Sequence, residues 1–325
     1  MSKREPVPRE GVYDLYWEFA AKRQQAFLRR YAGEDGPWSD DPILQEYKFC
    51  NVFRVLDRVS QYMVREVCYS NEPRTPADAI FQITAFRTLS RIETWEELRR
   101  RLGHAPTLQN LADGSFEQAL TEMKNEGQTL YTGAFILCAA DAYGRGLKHL
   151  NHVALFIDMF LAHDAASEIL AAPSLEAVYQ IYHRCPLYGN FMAYQTAIDV
   201  NYSDLINFSE NDFTVPGLGA IRGIKKLFTD LGDYTPAEVV LWMVERQDQE
   251  FKRLGLRFDG LWGHKIQAID AQGLFCETDK YCRVRLPELA SNRTRIKAHF
   301  KPISAPGTVF LPPKWGVAVP PSRKK

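Results

Sequence analysis

No stretch of this 325-residue sequence stays apolar for the roughly 18 residues that a bilayer-spanning helix needs. The opening MSKREPVPRE also lacks the apolar run of a signal peptide. A soluble protein of the cytoplasm, without a membrane partner, is expected. Net charge is missing too. Lys+Arg and Asp+Glu stand at 40 each, so no overall field draws in a polyanion, and any nucleic-acid contact must come from a local patch. The six cysteines (Cys50, Cys68, Cys138, Cys185, Cys276, Cys282) contain no CxxC pair and lie within apolar helical patterns, which reads as reduced, buried thiols.

Chemical motifs are scarce. GxxxxGK(S/T) is absent, which excludes a P-loop for ATP in these residues. No GxSxG elbow marks a nucleophile. His149 and His152 are three apart on one helical pattern, but no carboxylate or cysteine is placed to complete a metal site. Neither a metal nor a cofactor is therefore expected. CETDKYC (276–282) spaces its thiols wrongly for a zinc knuckle. Alternating strand patterns, repeats of about 20–50 residues and βαβ punctuation are all wanting.

What is present is helical periodicity, carried by a composition that is 46% hydrophobic and 25% charged. Helices are expected over 11–31, 42–69, 76–90, 94–102, 115–125, 147–163, 166–170, 174–184, 192–200, 221–231, 236–254 and 261–289. Asp40 or Asp41 before Pro42, Thr75 before Pro76, Ser174 and Thr235 supply N-caps. The stretch 127–146 fits either a buried helix or an extended segment. An all-α fold with a single multi-helix domain at 11–291 follows, between a flexible N-terminus (1–10) and a flexible, basic, Pro-rich tail (292–325).

Two glycine turns stand out between Leu187 and Phe228. Gly189 precedes one helical pattern, and Gly217 and Gly219 flank Leu218 before another that carries Arg222, Lys225 and Lys226. Such turns let backbone N–H groups approach an anion at a helix N-terminus, and the basic residues behind them suit the phosphates of a nucleic-acid backbone. They equally serve to join packed helices. Charge also recurs on helices that read as buried: Arg54/Asp57/Arg58, Arg87/Arg91/Glu93, Asp199 and Glu277/Lys280/Arg283. Internal ion pairs would account for isolated cases, whereas a surplus of arginine around one cavity is what a phosphate-bearing substrate requires.

Four blocks occur in order: DPILQEYKFCNVFRVLDRVSQYMV (41–64), FQITAFRTLSRIETWE (81–96), GNFMAYQTAIDVNYS (189–203) and CETDKYCR (276–283). Together they resemble the helical domain of the amino acid:DNA transferases, or α-glutamyl/putrescinyl-thymine pyrophosphorylases. The same module accompanies the 5-hydroxymethyluracil DNA kinases of bacteriophages. The resemblance, over about 14–283, implies a helix-hairpin-helix fold of the DNA-glycosylase kind. It implies a transferase that replaces pyrophosphate on 5-(pyrophosphomethyl)uracil in DNA with an amine or amino acid. The partners would be modified DNA, the amine and a separate 5-hydroxymethyluracil DNA kinase, in the host cytoplasm for a phage-encoded protein. On this reading Arg54, Arg58, Arg87, Arg91 and Arg283 hold pyrophosphate and Gln195 reads the base. Asp199 or Asp57 handles the amine, Glu277 and Lys280 complete the pocket, and Gly189 or Gly217/Gly219 with Arg222 and Lys225 grips the DNA. Two alternatives stay open: a base-excision glycosylase, and a non-catalytic DNA-binding module serving a kinase.

Overall fold

The computed structural model describes residues 3–133, 141–289, 293–301 and 307–322. Among them are fourteen α-helices and one two-stranded sheet, so the chain is mostly helical as expected. It divides into two compact units where one was expected. Met1–Asp57 and Phe213–Lys325 make the first, and Arg58–Asp212 the second. Periodicity shows which face of a helix is buried but not against what, so a chain that leaves one core and returns to it leaves no mark in the pattern.

The first unit begins with β1 (Val7–Pro8) and α1 (Tyr13–Tyr31), which buries Tyr13, Tyr16, Trp17, Phe19 and Phe27. The Asp41 side chain accepts the N–H groups of Ile43 and Leu44 to start α2 (Pro42–Glu46), with Pro42 in the first turn. The long helix expected over 42–69 stops there. Beyond Tyr47 the amides of Cys50, Asn51 and Arg54 donate to the carboxylates of Glu277, Asp57 and Asp270. Tertiary acceptors replace the carbonyls four residues back, and the apolar spacing is used by an irregular segment that buries Phe49, Val52 and Phe53.

In the second unit α3 (Arg58–Tyr62) continues as a π-helix over Met63–Cys68. A capping box of Thr75 and Asp78 opens α4 (Pro76–Leu89). Then come α5 (Ile92–Leu102), α6 (Leu108–Ala112), α7 (Ser115–Asn125) and α8 (Lys148–Phe156), which runs on as a π-helix over Ile157–Ala162. The unit closes with α9 (Ala165–Leu170), α10 (Leu175–His183) behind its Ser174 cap, and α11 (Asn190–Tyr202). Every residue from Ala79 to Leu89 and from Met192 to Tyr202 is buried. Helices buried all round form the centre of a core, and α4 and α11 pack on each other there. Of the undecided stretch 127–146, residues 134–140 lie outside the described residues.

The chain returns to the first unit with α12 (Leu218–Leu227) and β2 (Phe228–Asp230), which pairs antiparallel with β1. Next come α13 (Pro236–Arg253), started by a Thr235/Glu238 capping box, and α14 (Ala268–Arg285). Helix α14 packs on α1, α12 and α13 and is the hub of this unit. It begins seven residues later than expected, because the chain from Gly260 to Gly263 takes positive φ at Gly260, Trp262 and Gly263. The segments expected to be flexible make defined contacts. Arg9 Nε donates to the Lys226 carbonyl at the end of α12 (2.7 Å), Tyr47 and His299 form an antiparallel bridge, and Trp315 stacks on His264 at 4.1 Å.

Candidate functional site

In the first unit α14 carries five polar side chains that are all at least nine-tenths buried: Asp270, Gln272, Glu277, Thr278 and Asp279. Two of its carboxylates hold the irregular segment after α2. Glu277 Oε2 accepts the Cys50 N–H (2.9 Å) and pairs with Lys280 Nζ (2.5 Å). Asp270 Oδ1 accepts the Arg54 N–H (2.7 Å), and its Oδ2 accepts the N–H of Gln267 (3.1 Å) in the capping box that starts α14. Within the segment, Asp57 Oδ1 accepts both the backbone and the side-chain N–H of Asn51, each at 3.1 Å. Arg23 closes the far side, donating to Asn51 Oδ1 (2.8 Å) and the Cys50 carbonyl (3.1 Å).

Burial disfavours the ionised form of Asp57 and Asp270, and a neighbouring carboxylate adds to this at each: Glu277 beside Asp57, and Asp57 beside Asp270. Burial pushes Asp270 up to about 7, against the opposing pull of the Arg54 and Gln267 amides. Burial also raises Asp57, again opposed first by the Asn51 amide and then by Arg23. A carboxyl that titrates near neutrality is equipped to exchange a proton with a substrate.

About two and a half turns after Asp270 on α14, Asp279 gathers three cations. Arg283 Nη2 donates to it at 2.6 Å, Lys226 Nζ lies at 3.0 Å and Arg222 Nε at 3.4 Å. Burial pulls Asp279 upward, and the Arg283 hydrogen bond and Lys226 more than reverse that, so its pKa falls below the ordinary carboxylate range. Three positive charges around one negative leave a local surplus of cation, the feature the sequence sought elsewhere.

The second glycine turn is a packing device. A Cβ on Gly219 would strike Cys276 Sγ, and one on Gly223 would strike the Phe275 carbonyl, so both glycines let α12 lie directly against α14. The Gly217 N–H is already given to Gln272 Oε1 (3.0 Å). Leu218 and Lys225 face outward, Leu218 with 77% of its surface exposed.

The second unit holds Arg58, Arg87, Arg91, Gly189, Gln195 and Asp199, and these residues do not act as one cluster of free cations. Arg87 and Asp199 form a buried ion pair, and Arg87 Nη2 also lies 3.7 Å from Met63 Sδ. Arg58 (71% exposed side chain) and Arg91 share Glu93 at 3.6 and 3.5 Å. Gly189 caps α11, and Gln195 sits one turn before Asp199 on the same helix, buried. Arg54 and Asp57 belong to the other unit.

Asp270 and Asp279 are not among the residues the sequence singles out. The Gln267-x-x-Asp270 capping box was the available signal for the first. For the second it was the spacing of Asp279 and Arg283, one turn apart on the same helix.

The family described as "5-hmdU DNA kinase, helical domain" matches residues 10–291. A 5-hmdU DNA kinase of Bacillus phage SP10 is 26% identical over 302 residues, covering 86% of this chain and 46% of its own length. The chain thus spans about half the length of that curated relative. No solved structure matches. With the match running through both units and well over half of the chain, the protein belongs to the family of 5-hmdU DNA kinase helical domains.

Proposed function

We propose that the chain modifies 5-hydroxymethyluracil in DNA, and that its step is the displacement of pyrophosphate from 5-(pyrophosphomethyl)uracil by an amine or amino acid. The observation that carries this reading is the near-neutral carboxyl of Asp270 in a cluster with Asp57 and Glu277, within a chain of the 5-hmdU DNA kinase helical-domain family. The lone pair of the amine attacks the exocyclic methylene, a C–N bond forms, and the C–O bond to pyrophosphate breaks. The proton shed by the new ammonium passes to a carboxylate, for which Asp270 is suited, with Asp57 beside it. Pyrophosphate departs as an anion, and Arg222, Lys226 and Arg283 offer the positive surplus that favours its departure. The base must leave the stack for this chemistry. Lys225 and the exposed end of α12 are assigned to the DNA backbone. Asp199 is assigned to folding, since Arg87 already matches it.

The reading is tested by supplying DNA that carries 5-(pyrophosphomethyl)uracil and following pyrophosphate in solution. Release that requires an added amine such as glycine, putrescine or glutamate supports it. Alkali-labile abasic sites, with no pyrophosphate released, would replace it by a base-excision activity.

A further inference from the structure

Eight of the 40 Lys and Arg residues and none of the 40 Asp and Glu residues fall in 292–325, which leaves the first 291 residues with 32 basic and 40 acidic side chains, a formal charge of −8. The neutral total therefore conceals an acidic body with a basic end. A body of that sign is repelled by a nucleic-acid backbone unless a placed group of cations offsets it.

Part of that basic end is a segment tied down by backbone hydrogen bonds and one isolated β-bridge. Arg293, Arg295, Lys297, His299 and Lys301 occupy alternate positions and are all exposed, whereas Ile296 between them is buried. The backbone is held at several points. The Lys48 N–H donates to the Ala298 carbonyl (2.9 Å), and the Phe300 N–H donates to the Glu46 carbonyl (2.8 Å), on either side of the Tyr47–His299 bridge. The rings of Tyr47 and His299 lie 5.2 Å apart, and Arg283 Nη1 donates to the Arg295 carbonyl (3.2 Å). Among the described residues, no carboxylate is paired with Arg293, Arg295, Lys297 or Lys301.

Alternate residues of an extended chain stand about 6.6 Å apart. Cations so spaced can each neutralise a separate phosphate of one DNA strand. An exposed basic strand is ordinarily a solvated surface. This one is distinguished by its anchorage. It is bonded to residues 46–48, which lead straight into Cys50 and Asn51 of the carboxylate cluster, and to Arg283 of the Asp279 cluster. The strand also lies just past the family-matched residues 10–291.

We propose that Arg293–Lys301 is a phosphate-tracking strand that holds one strand of the DNA substrate beside α14. This rests on the reading that the chain acts on DNA. The test compares the wild type with a variant carrying Arg293→Gln, Arg295→Gln, Lys297→Gln and Lys301→Gln, in binding of labelled DNA over a range of salt. All four side chains are exposed, and Ile296 is kept, so an unchanged thermal midpoint is expected. The slope of log K against log salt should become shallower by about 3, at about 0.7–0.9 for each phosphate no longer neutralised, whatever the DNA sequence. In the transfer reaction KM for DNA should rise while kcat at saturating DNA stays unchanged. A variant with lysine at all four positions should bind as the wild type does. Equal affinity and slope in the glutamine variant would overturn the strand proposal alone. A wild type that binds no DNA at low salt would overturn it together with the DNA reading. Equal loss of binding to phosphatidylserine vesicles, bound by the wild type as tightly as DNA, would reassign the strand to anionic lipid.

Discussion

Arg87 on α4 and Asp199 on α11 pair across the core of the second unit, with side chains 7% and 0% exposed. Removing one partner of such a pair strands a charge away from water, which costs about 3–5 kcal/mol. Arg87→Met and Asp199→Asn should each lower stability on that scale in denaturant unfolding. Arg87→Met with Asp199→Leu should recover much of the loss, because replacing both charges leaves no charge stranded. Residual folded Asp199→Asn protein should keep its kcat, since the carboxylate is already committed to Arg87.

The two glycines of α12 separate packing from ligand binding. Gly223→Ala would push a Cβ into the Phe275 backbone, which cannot yield, whereas Gly219→Ala meets the Cys276 side chain. Overpacking of this kind costs about 1–3 kcal/mol. Gly223→Ala should be the more damaging of the two in thermal unfolding. Cys276→Ala should partly rescue Gly219→Ala and leave Gly223→Ala as it is.

Asp270 predicts a dependence on pH with a definite sign. Its pKa rises from 3.8 to about 7 on folding, so between those values the folded state holds a proton that the unfolded state releases. Its contribution to stability is full below about pH 4, falls as pH rises towards 7, and is level above. Relative to the wild type, Asp270→Asn should therefore gain stability as pH rises through this window, by on the order of 4 kcal/mol at most. Unfolding of both proteins at pH 4, 5.5, 7 and 8.5 measures the difference. A constant difference across the series would remove the buried titration.

Arg9 closes the C-terminal end of α12 through the carbonyls of Lys226 and Phe228. Arg9→Ala leaves those acceptors without the guanidinium and should cost about 1–3 kcal/mol. Amide exchange should accelerate first in the last turn of α12, which reads the local nature of the loss.

Where a local rule governs, sequence and structure agree. The caps at Asp41, Thr75, Ser174 and Thr235 start the helices they were expected to start, because a side-chain oxygen beside two or three free amides is a short-range matter. No α-helix forms over 47–57, where the helical spacing of Tyr47, Val52 and Leu56 is real but the amides of Cys50, Asn51 and Arg54 belong to Glu277, Asp57 and Asp270. Two of these acceptors are more than 200 residues away in the chain, and no local pattern reveals them. The same long-range pairing is what assembles the candidate site, so the misread segment and the overlooked Asp270 are one omission. The sequence marks Arg87, Arg91, Glu93 and Asp199 as charged but does not say that Arg87 pairs with Asp199 rather than with Glu93. Arg87 turned out matched, while the surplus of cations gathers at Asp279.

The most direct test of the account is nucleoside mass spectrometry of DNA containing 5-(pyrophosphomethyl)uracil after incubation with the protein and a panel of amines. The account predicts a nucleoside in which the amine nitrogen replaces pyrophosphate at the methylene. Its yield should rise with pH through about 7 and fall by about 100-fold or more in Asp270→Asn. DNA that is bound but returns only its starting nucleosides with every amine, or an Asp270→Asn protein as active as the wild type across that range, would contradict it.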